Sequence, residues 1–360
     1  AMDSGVAQKP IKDMRAYRQQ LRARLNPTAS VLSLAYEAAR SNPKRVLFAE
    51  GEEPNVLRAA IAFRDGGYGT PVLVGRDEML AALGVDDPQE YEVLNSRNSP
   101  LVGRAVDYIY AKHQRHGLLR REVERMVNQD RNIFAAAMLA LGEGDAMITG
   151  TTRPFSQSLQ QVRTVIDDEN GPTPFGVSIV ATRHQTVLIA DTSVTERPTA
   201  EQLAAIAIRS AAFGRRMGQE PRVAFVSYTT FGNPPGRHIE ELRDAVKLLD
   251  SLQTDFEYEG EMGPDVALSH DMQRKYYPFS RLTGPANILI MPGMQSANIS
   301  SKLLRAVGGE SVLGPYLLGM ALPVQIAPMT ASTSDLVTLA VLAAGGADAI
   351  RKAPPRGSKG

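Results

Sequence analysis

"RVLFAEGEEPNVLRAAIAFRDGGYGTPVLVGR", residues 45–76, carries one strand–helix–strand unit. "RVLFAEG" (45–51) is an apolar strand that ends in a glycine turn. "EPNVLRAAIAFRDGG" (53–67) has Pro near its start and Gly past its end, the asymmetry of a helix. "TPVLVGR" (70–76) is a second apolar strand. Strands that alternate with helices argue for a mainly parallel α/β sheet.

The same alternation continues outward. "YEVLNS" (91–96) predicts a strand, "NIFAAAMLALGEG" (132–144) a helix and "DAMITG" (145–150) a strand ending in Gly. The middle differs: "FGVSIVATRHQTVLIADTSV" (175–194) reads as a hairpin turning near Arg183 and His184. "PTAEQLAAIAIRSAAFGRRMG" (198–218) is a helix with Pro and Glu at its start, and Arg-Arg then Gly at its end. "RVAFVSYT" (222–229), "GRHIEELRDAVKLLDSL" (236–252) and "FEYEGE" (256–261) resume strand, helix, strand. "ANILIMPGMQSANISSKLLRAVGG" (286–309) adds a strand, a turn and a helix. "LVTLAVLAA" (336–344) belongs to a terminal helix apolar enough to be buried, and "DMRAYRQQLRARL" (13–25) predicts a connecting helix.

At 360 residues the chain exceeds what one core usually supports, which predicts two lobes. The expected division is a connector helix and linker over 1–29, a discontinuous lobe I over 30–155 and 318–350, lobe II over 156–317, and a disordered tail over 351–360. A net charge of +1 gives no general reason to expect nucleic-acid or membrane binding. The absence of Trp and an aromatic content of 6% argue against a base-stacking platform. With no cysteine, disulfides, thiolate zinc sites and cysteine nucleophiles are excluded, and a cytoplasmic location is expected. No apolar run is long enough for a transmembrane helix, and no signal-peptide pattern opens the chain. Neither a dinucleotide fingerprint nor a phosphate-binding P-loop motif occurs.

Ligands in open α/β sheets bind beyond the carboxyl ends of strands. Four turns sit there: Gly51–Asn55, Gly150–Ser158, Pro292–Ser301 and Ala327–Asp335. The last, within "PVQIAPMTASTSDLV" (323–337), has Ser332 and Asp335 at capping-box spacing before a helix, a place where free N–H groups favour anions. Between Pro323 and Ser332 it holds no charged side chain and no good nucleophile. Elsewhere, Glu50, Glu52 and Glu53 form an acidic cluster, of which Glu52 and Glu53 suit the start of the following helix. His113 and His116, three apart, lack an acidic partner at matching spacing, so no metal site is expected. Asp191 reads equally as a strand-end turn carboxylate or a ligand.

Six ordered motifs carry a family resemblance: "GDAMITGT", "LIADTSV", "PTAEQLAAIAI", "RVAFVSYTTFG", "ANILIMPGMQSANISSKLL" and "GPYLLGMALPVQ". In this order, across roughly residues 30–350, they resemble the phosphate acetyl/butyryl transferase family. The resemblance implies two α/β lobes with a cleft between them and a homodimer. The family's activity is acetyl transfer between coenzyme A and phosphate. Active members carry Asp-Leu-Ser-Arg where this chain has Ile326, Ala327, Pro328 and Met329. A further family arginine falls on Gln160, and another near Gln129, where Arg131 could partly stand in. The family's acidic residue on the terminal helix is kept as Asp335. Pro328 supplies neither hydroxyl nor N–H, and Met329 cannot replace a guanidinium fork. Losing one oxyanion-stabilising donor typically costs about 2.7–4 kcal/mol of transition-state stabilisation.

The pattern is similar to one branch, the C-terminal transferase-like domain of bacterial NADP-dependent malic enzymes, where "DMRAYRQQLRARL" would occupy the connector. That branch implies a domain without catalysis of its own, which binds acetyl-CoA or a related acyl-CoA and inhibits the malic enzyme portion. NADP and a divalent metal would then belong only to a malic enzyme half that this chain does not contain, and a higher oligomer is expected of the full-length protein. Candidate contacts for acetyl-CoA are Arg131, Arg153, Asn298, Ser301, Lys302, Thr330, Ser332 and Asp335, with no catalytic and no metal-binding residue. The alternatives are a working transferase with a rearranged site built on Arg131 and Arg153, and a purely structural oligomerisation domain.

Overall fold

The computed structural model describes residues 27–76, 78, 91–169, 173–182, 185–235, 239–307 and 311–351. The chain opens with α1 (Pro27–Ser41), β1 (Lys44–Phe48), α2 (Pro54–Asp65), β2 (Gly69–Val74) and β3 (Glu92–Leu94). Then come α3 (Val102–His113), α4 (Arg120–Gln129), α5 (Arg131–Ala140), β4 (Ala146–Thr149) and α6 (Phe155–Val165). The second half begins with the hairpin β5 (Phe175–Ala181) and β6 (Thr186–Ala190), then α7 (Ala200–Arg216), β7 (Arg222–Val226), α8 (Glu240–Leu252) and β8 (Glu257–Met262). It continues through α9 (Pro264–Ala267), α10 (His270–Tyr276), β9 (Ile288–Ile290), α11 (Met294–Val307) and β10 (Ser311–Leu318). The described chain ends with β11 (Val324–Ile326) and α12 (Thr333–Arg351).

Two sheets result. The first, in the order β11-β4-β1-β2-β3, is parallel throughout. The second runs β10-β5-β6-β9-β7-β8, with antiparallel pairing at β10–β5 and β5–β6 and parallel pairing beyond. The α/β class with mainly parallel sheets is therefore as the alternation predicts, and the hairpin forms, with its Arg183–His184 turn outside the described residues. The reason is burial on both faces: β1 and β4 are almost wholly enclosed, which a parallel strand with helices above and below requires. In α2, Val56, Leu57, Ala59, Ala60 and Phe63 face the core, and Glu53 and Pro54 open the helix without a side-chain cap.

After the second sheet the chain returns to the first. Strand β11 pairs with β4, and α12 lies against α2, α1 and β4. Its apolar stretch from Leu336 to Ala344 is buried in the central core. The two crossings between sheets touch each other: Glu169 N–H donates to Gly319 O at 2.7 Å, and Ala321 N–H donates to Asp167 O at 2.9 Å.

Helices α1, α3, α4, α6, α9 and α10 and strand β10 have no counterpart in the sequence reading. Helix α4 is half charged and buries only Val123 and Val127, too thin a stripe to signal itself. Helix α3 buries only Ala105, Val106 and Ile109, a short apolar stripe between the Asn98-Ser99-Pro100 turn and Gly117. Strand β10 is interrupted by Gly314 and Pro315, and its register shifts between Leu313 and Tyr316. The helix expected over 13–25 and the tail from 352 onward lie outside the described residues. No described helix is long and apolar enough to cross a membrane.

Candidate functional site

A cavity of about 690 Å³ opens between the two sheets. One wall comes from the first sheet: Pro154, Phe155 and Ser156 after β4, and Pro328, Met329 and Thr330 after β11. These two turns lie side by side because Ala327 N–H donates to Thr149 O at 2.6 Å. Gly150 is required there. Its φ is 110°, and a Cβ would stand 2.3 Å from Ala327 O. The opposite wall holds Ser178, Thr192 and Ser193 of the hairpin, the α11 face, and Val312, Gly314 and Pro315 of β10.

The α11 wall is built by helical spacing. Asn298, Ser301, Lys302 and Arg305 stand at i, i+3, i+4 and i+7 and share one face. Asn298 Nδ2 donates to Thr192 O at 3.0 Å, which ties the helix to the loop after β6. Ser301 Oγ donates to Asn298 O at 3.1 Å. Arg305 Nη2 donates to Val312 O at 2.7 Å and to Gly314 O at 3.3 Å. Lys302 is exposed and has no ion-pair partner among the described residues. The lining contains two cations and no acidic side chain, while Phe155, Met294, Val312, Pro315, Pro328 and Met329 make most of the rest apolar. Such a wall suits a ligand with an anionic part and an apolar part.

Of the eight candidate contacts, Asn298, Ser301, Lys302 and Thr330 line this cavity. The other four do not. Arg153 Nη1 pairs with Asp130 Oδ2 at 2.6 Å, and Asp130 also caps α5 by accepting from the N–H groups of Asn132 and Ile133. Arg131 pairs with Glu52 at 3.1 Å, and Glu52 pairs with Arg76 at 2.8 Å. The Arg76 hydrogen bond, against the opposing effect of burial and with help from Arg131, holds the Glu52 carboxyl below its usual range. Ser332 and Asp335 close the capping box that their spacing predicts. Ser332 N–H donates to Asp335 Oδ2 at 2.9 Å, and Asp335 N–H donates to Ser332 Oγ at 3.2 Å. Their carboxylate and hydroxyl are spent on the helix start.

Glu50 is buried and accepts from the backbone N–H and hydroxyl of both Thr151 and Thr152, so it organises the turn after β4. Among the described residues no group of three His, Asp or Glu side chains could hold a metal. His113 Nε2 donates to Thr164 O at 2.6 Å, a side-chain bond to the backbone of α6. Asp191 is a turn carboxylate: it accepts from the N–H groups of Gly176, Ser193, Val194 and Thr195 at 2.7–3.2 Å. Burial pushes its carboxyl above the usual range, with those four donors pulling the other way. By this arrangement Asp191 places its neighbours Thr192 and Ser193 in the cavity wall.

Gln160 sits on the exposed face of α6 and does not line the cavity, whereas Ser156, one turn earlier, does. The polar lining residues absent from the candidate contacts are Ser156, which lies in the Gly150–Ser158 turn, Ser178, Thr192, Ser193 and Arg305. Arg305 was within reach of the pattern, since it continues the Asn298–Ser301–Lys302 face by one helical step. Ser178 was not, because nothing in a buried strand marks which hydroxyl will meet a cavity.

Comparisons with known proteins agree with this architecture. An NADP-dependent malic enzyme of Rhizobium meliloti is 49% identical over 349 residues, covering 96% of this chain and 46% of that protein. A phosphate acetyltransferase of Thermoanaerobacterium thermosaccharolyticum is 28% identical over 317 residues, covering 86% of this chain and 96% of that protein. The chain therefore spans about half the length of the malic enzymes it matches. A phosphotransacetylase structure from Streptococcus pyogenes superposes with a TM-score of 0.82 at 24% identity, covering 89% of this chain and 99% of that one, and shares the fold. Residues 30–344 match the description "Phosphate acetyl/butaryl transferase", and the chain belongs to that family.

Proposed function

We propose that this chain is a non-catalytic, acetyl-CoA-binding regulatory and dimerisation domain of an NADP-dependent malic enzyme, whose parent reaction is oxidative decarboxylation of malate to pyruvate. The observation that carries the reading is the composition of the cavity. On the first-sheet side, Pro328 and Met329 stand where the family resemblance expects Ser and Arg, and they line the cavity with no hydroxyl and no charge. On the α11 side, Lys302 and Arg305 remain as anion-binding groups beside an apolar wall. Coenzyme A carries its phosphates at one end and its thioester at the other. Binding energy from the phosphate end is separable from stabilisation of a transition state at the thioester.

The rearranged-transferase reading needs Arg131 and Arg153 in the cavity. Both are engaged with carboxylates, Glu52 and Asp130, and neither lines it. The test runs two assays on the same preparation. Acetyl-CoA is expected to raise the melting temperature by binding the folded state. Acetyl-CoA with phosphate is expected to give no acetyl phosphate above background. Turnover at ordinary enzymatic rates would restore the transferase reading. No thermal shift and no turnover would leave the structural oligomerisation reading.

A further inference from the structure

Strand β10 is the edge of the second sheet and β11 the edge of the first. An edge strand presents backbone N–H and C=O groups that need partners when buried. At Leu317 of β10 the partner is a side chain. Leu317 N–H donates to Gln325 Oε1 at 2.8 Å, and Gln325 Nε2 donates to Leu317 O at 2.9 Å. Gln325 lies within β11 and is 2% exposed. Its amide does for Leu317 what the next strand of a sheet would do, and so joins the two sheets edge to edge.

Both ends of this link lead into the cavity. Pro328, Met329 and Thr330 follow Gln325 closely in the chain, and Gly314 and Pro315 closely precede Leu317. Between them runs the β10–β11 crossing, paired with the other crossing through the Asp167 and Glu169 backbone and with β4 where Met147 N–H donates to Pro323 O at 2.9 Å. Two paired crossings form a ribbon about which packed lobes can turn, because few backbone dihedrals need to change. Among the described residues β10 has two further side-chain ties, the Tyr316 hydroxyl donating to Leu342 O of α12 at 2.9 Å and Arg305 of α11 donating to Val312 O and Gly314 O, and neither reaches a strand of the first sheet.

We propose that Gln325 is a positioning residue, a latch that sets the angle between the lobes and thereby the width of the cavity. The latch concerns the ligand-free protein and does not depend on which ligand the cavity takes. Its bonds are buried, where an unmade backbone bond carries its full desolvation cost.

The test measures the interlobe distance directly. The chain has no cysteine, so Arg121→Cys on α4 and Glu241→Cys on α8, both at exposed positions, give two unique spin-label sites. With Gln325 in place, pulsed electron resonance should give one narrow distance distribution at neutral and at mildly acid pH. Gln325→Leu removes both bonds and should broaden and shift that distribution, with circular dichroism unchanged. Gln325→Glu decides the matter if the Leu variant fails to fold. Its ionised carboxylate keeps the bond from Leu317 N–H but faces Leu317 O as a second acceptor, so the distribution should broaden at neutral pH. Once protonated, a form that burial favours, it can donate to Leu317 O and should restore the narrow distribution. A Gln325→Leu distribution that matches the parent chain's, or a Glu variant whose distribution stays broad on acidification, overturns the latch.

Discussion

Met329 and Pro328 show how two side chains decide what a turn in the cavity wall can do. The turn after β11 keeps its approach to Thr149, its position in the cavity wall and its capped helix start. What it lacks is a charged fork and a hydroxyl. Reinstating them as Pro328→Ser with Met329→Arg should add anion affinity, because position 329 lines the cavity and is well exposed. Calorimetry with inorganic phosphate is expected to show tighter binding than the parent chain. Acetyl phosphate formation should stay far below that of a working transferase, since Arg131 and Arg153 remain tied to carboxylates. Full activity in the double variant would mean that the first-sheet turn alone had silenced the site.

At the scale of elements, the second lobe depends on a buried carboxylate between β8 and α8. Glu261, 1% exposed, accepts from Thr229 Oγ1 at 3.0 Å, Gly232 N–H at 2.8 Å and Arg243 Nε at 2.8 Å. Burial raises its pKa, but the Arg243 bond, the Gly232 N–H and the Thr229 hydroxyl together bring it below the usual carboxylate range. A carboxyl whose folded pKa is depressed adds stability above the unfolded value, near about 4.3 for Glu, and loses it as pH falls through the folded value. Glu261→Gln should therefore be less stable than the parent chain at neutral pH, by about 1 kcal/mol given the half-exposed Arg243. That gap should close as urea melts are repeated toward about pH 3. A gap that persists undiminished in acid would place the effect in packing instead.

For the whole molecule, the family resemblance implies a homodimer, and the many apolar positions of 198–218 and 332–344 in the sequence point to those helices as its face. Those positions turn inward. Leu203, Ile206, Ala207 and Phe213 of α7 and the Leu336–Ala344 run of α12 are core residues, so neither helix offers them to a partner. The exposed apolar stripe lies on α11, where Ile299, Leu303 and Val307 recur every fourth residue at 58%, 59% and 76% exposure. If the dimer implied by the family resemblance forms, this stripe is its expected face. Light scattering should give twice the chain mass, and Leu303→Glu should reduce it to one, because a charge on a stripe of this kind is costly to bury. A parent chain that is cleanly monomeric at micromolar concentration would remove dimerisation from the proposal.

Strand and helix periods, capping residues and glycine stops are local, and they were legible where a long apolar run or a clear turn signal accompanied the buried face, which α3, α4 and β10 lack. They gave the α/β alternation, the 175–194 hairpin, the Ser332–Asp335 capping box and the apolar terminal helix. The family motifs lay in the same segments, and so did the missing Ser-Arg pair. The site was legible where its residues repeat along one helix, as Asn298, Ser301 and Lys302 do on α11, and at Thr330 in the turn after β11. What the tertiary structure decided was which groups are free. Arg131, Arg153 and Asp335 look available in a linear reading, yet each meets its partner through the fold or in its own turn. Ser178 and Thr192 gain a role only because β10, β5 and β6 form a wall opposite the turn after β11. Burial and pairing depend on contacts between residues far apart in the chain, and those contacts leave no period in the sequence.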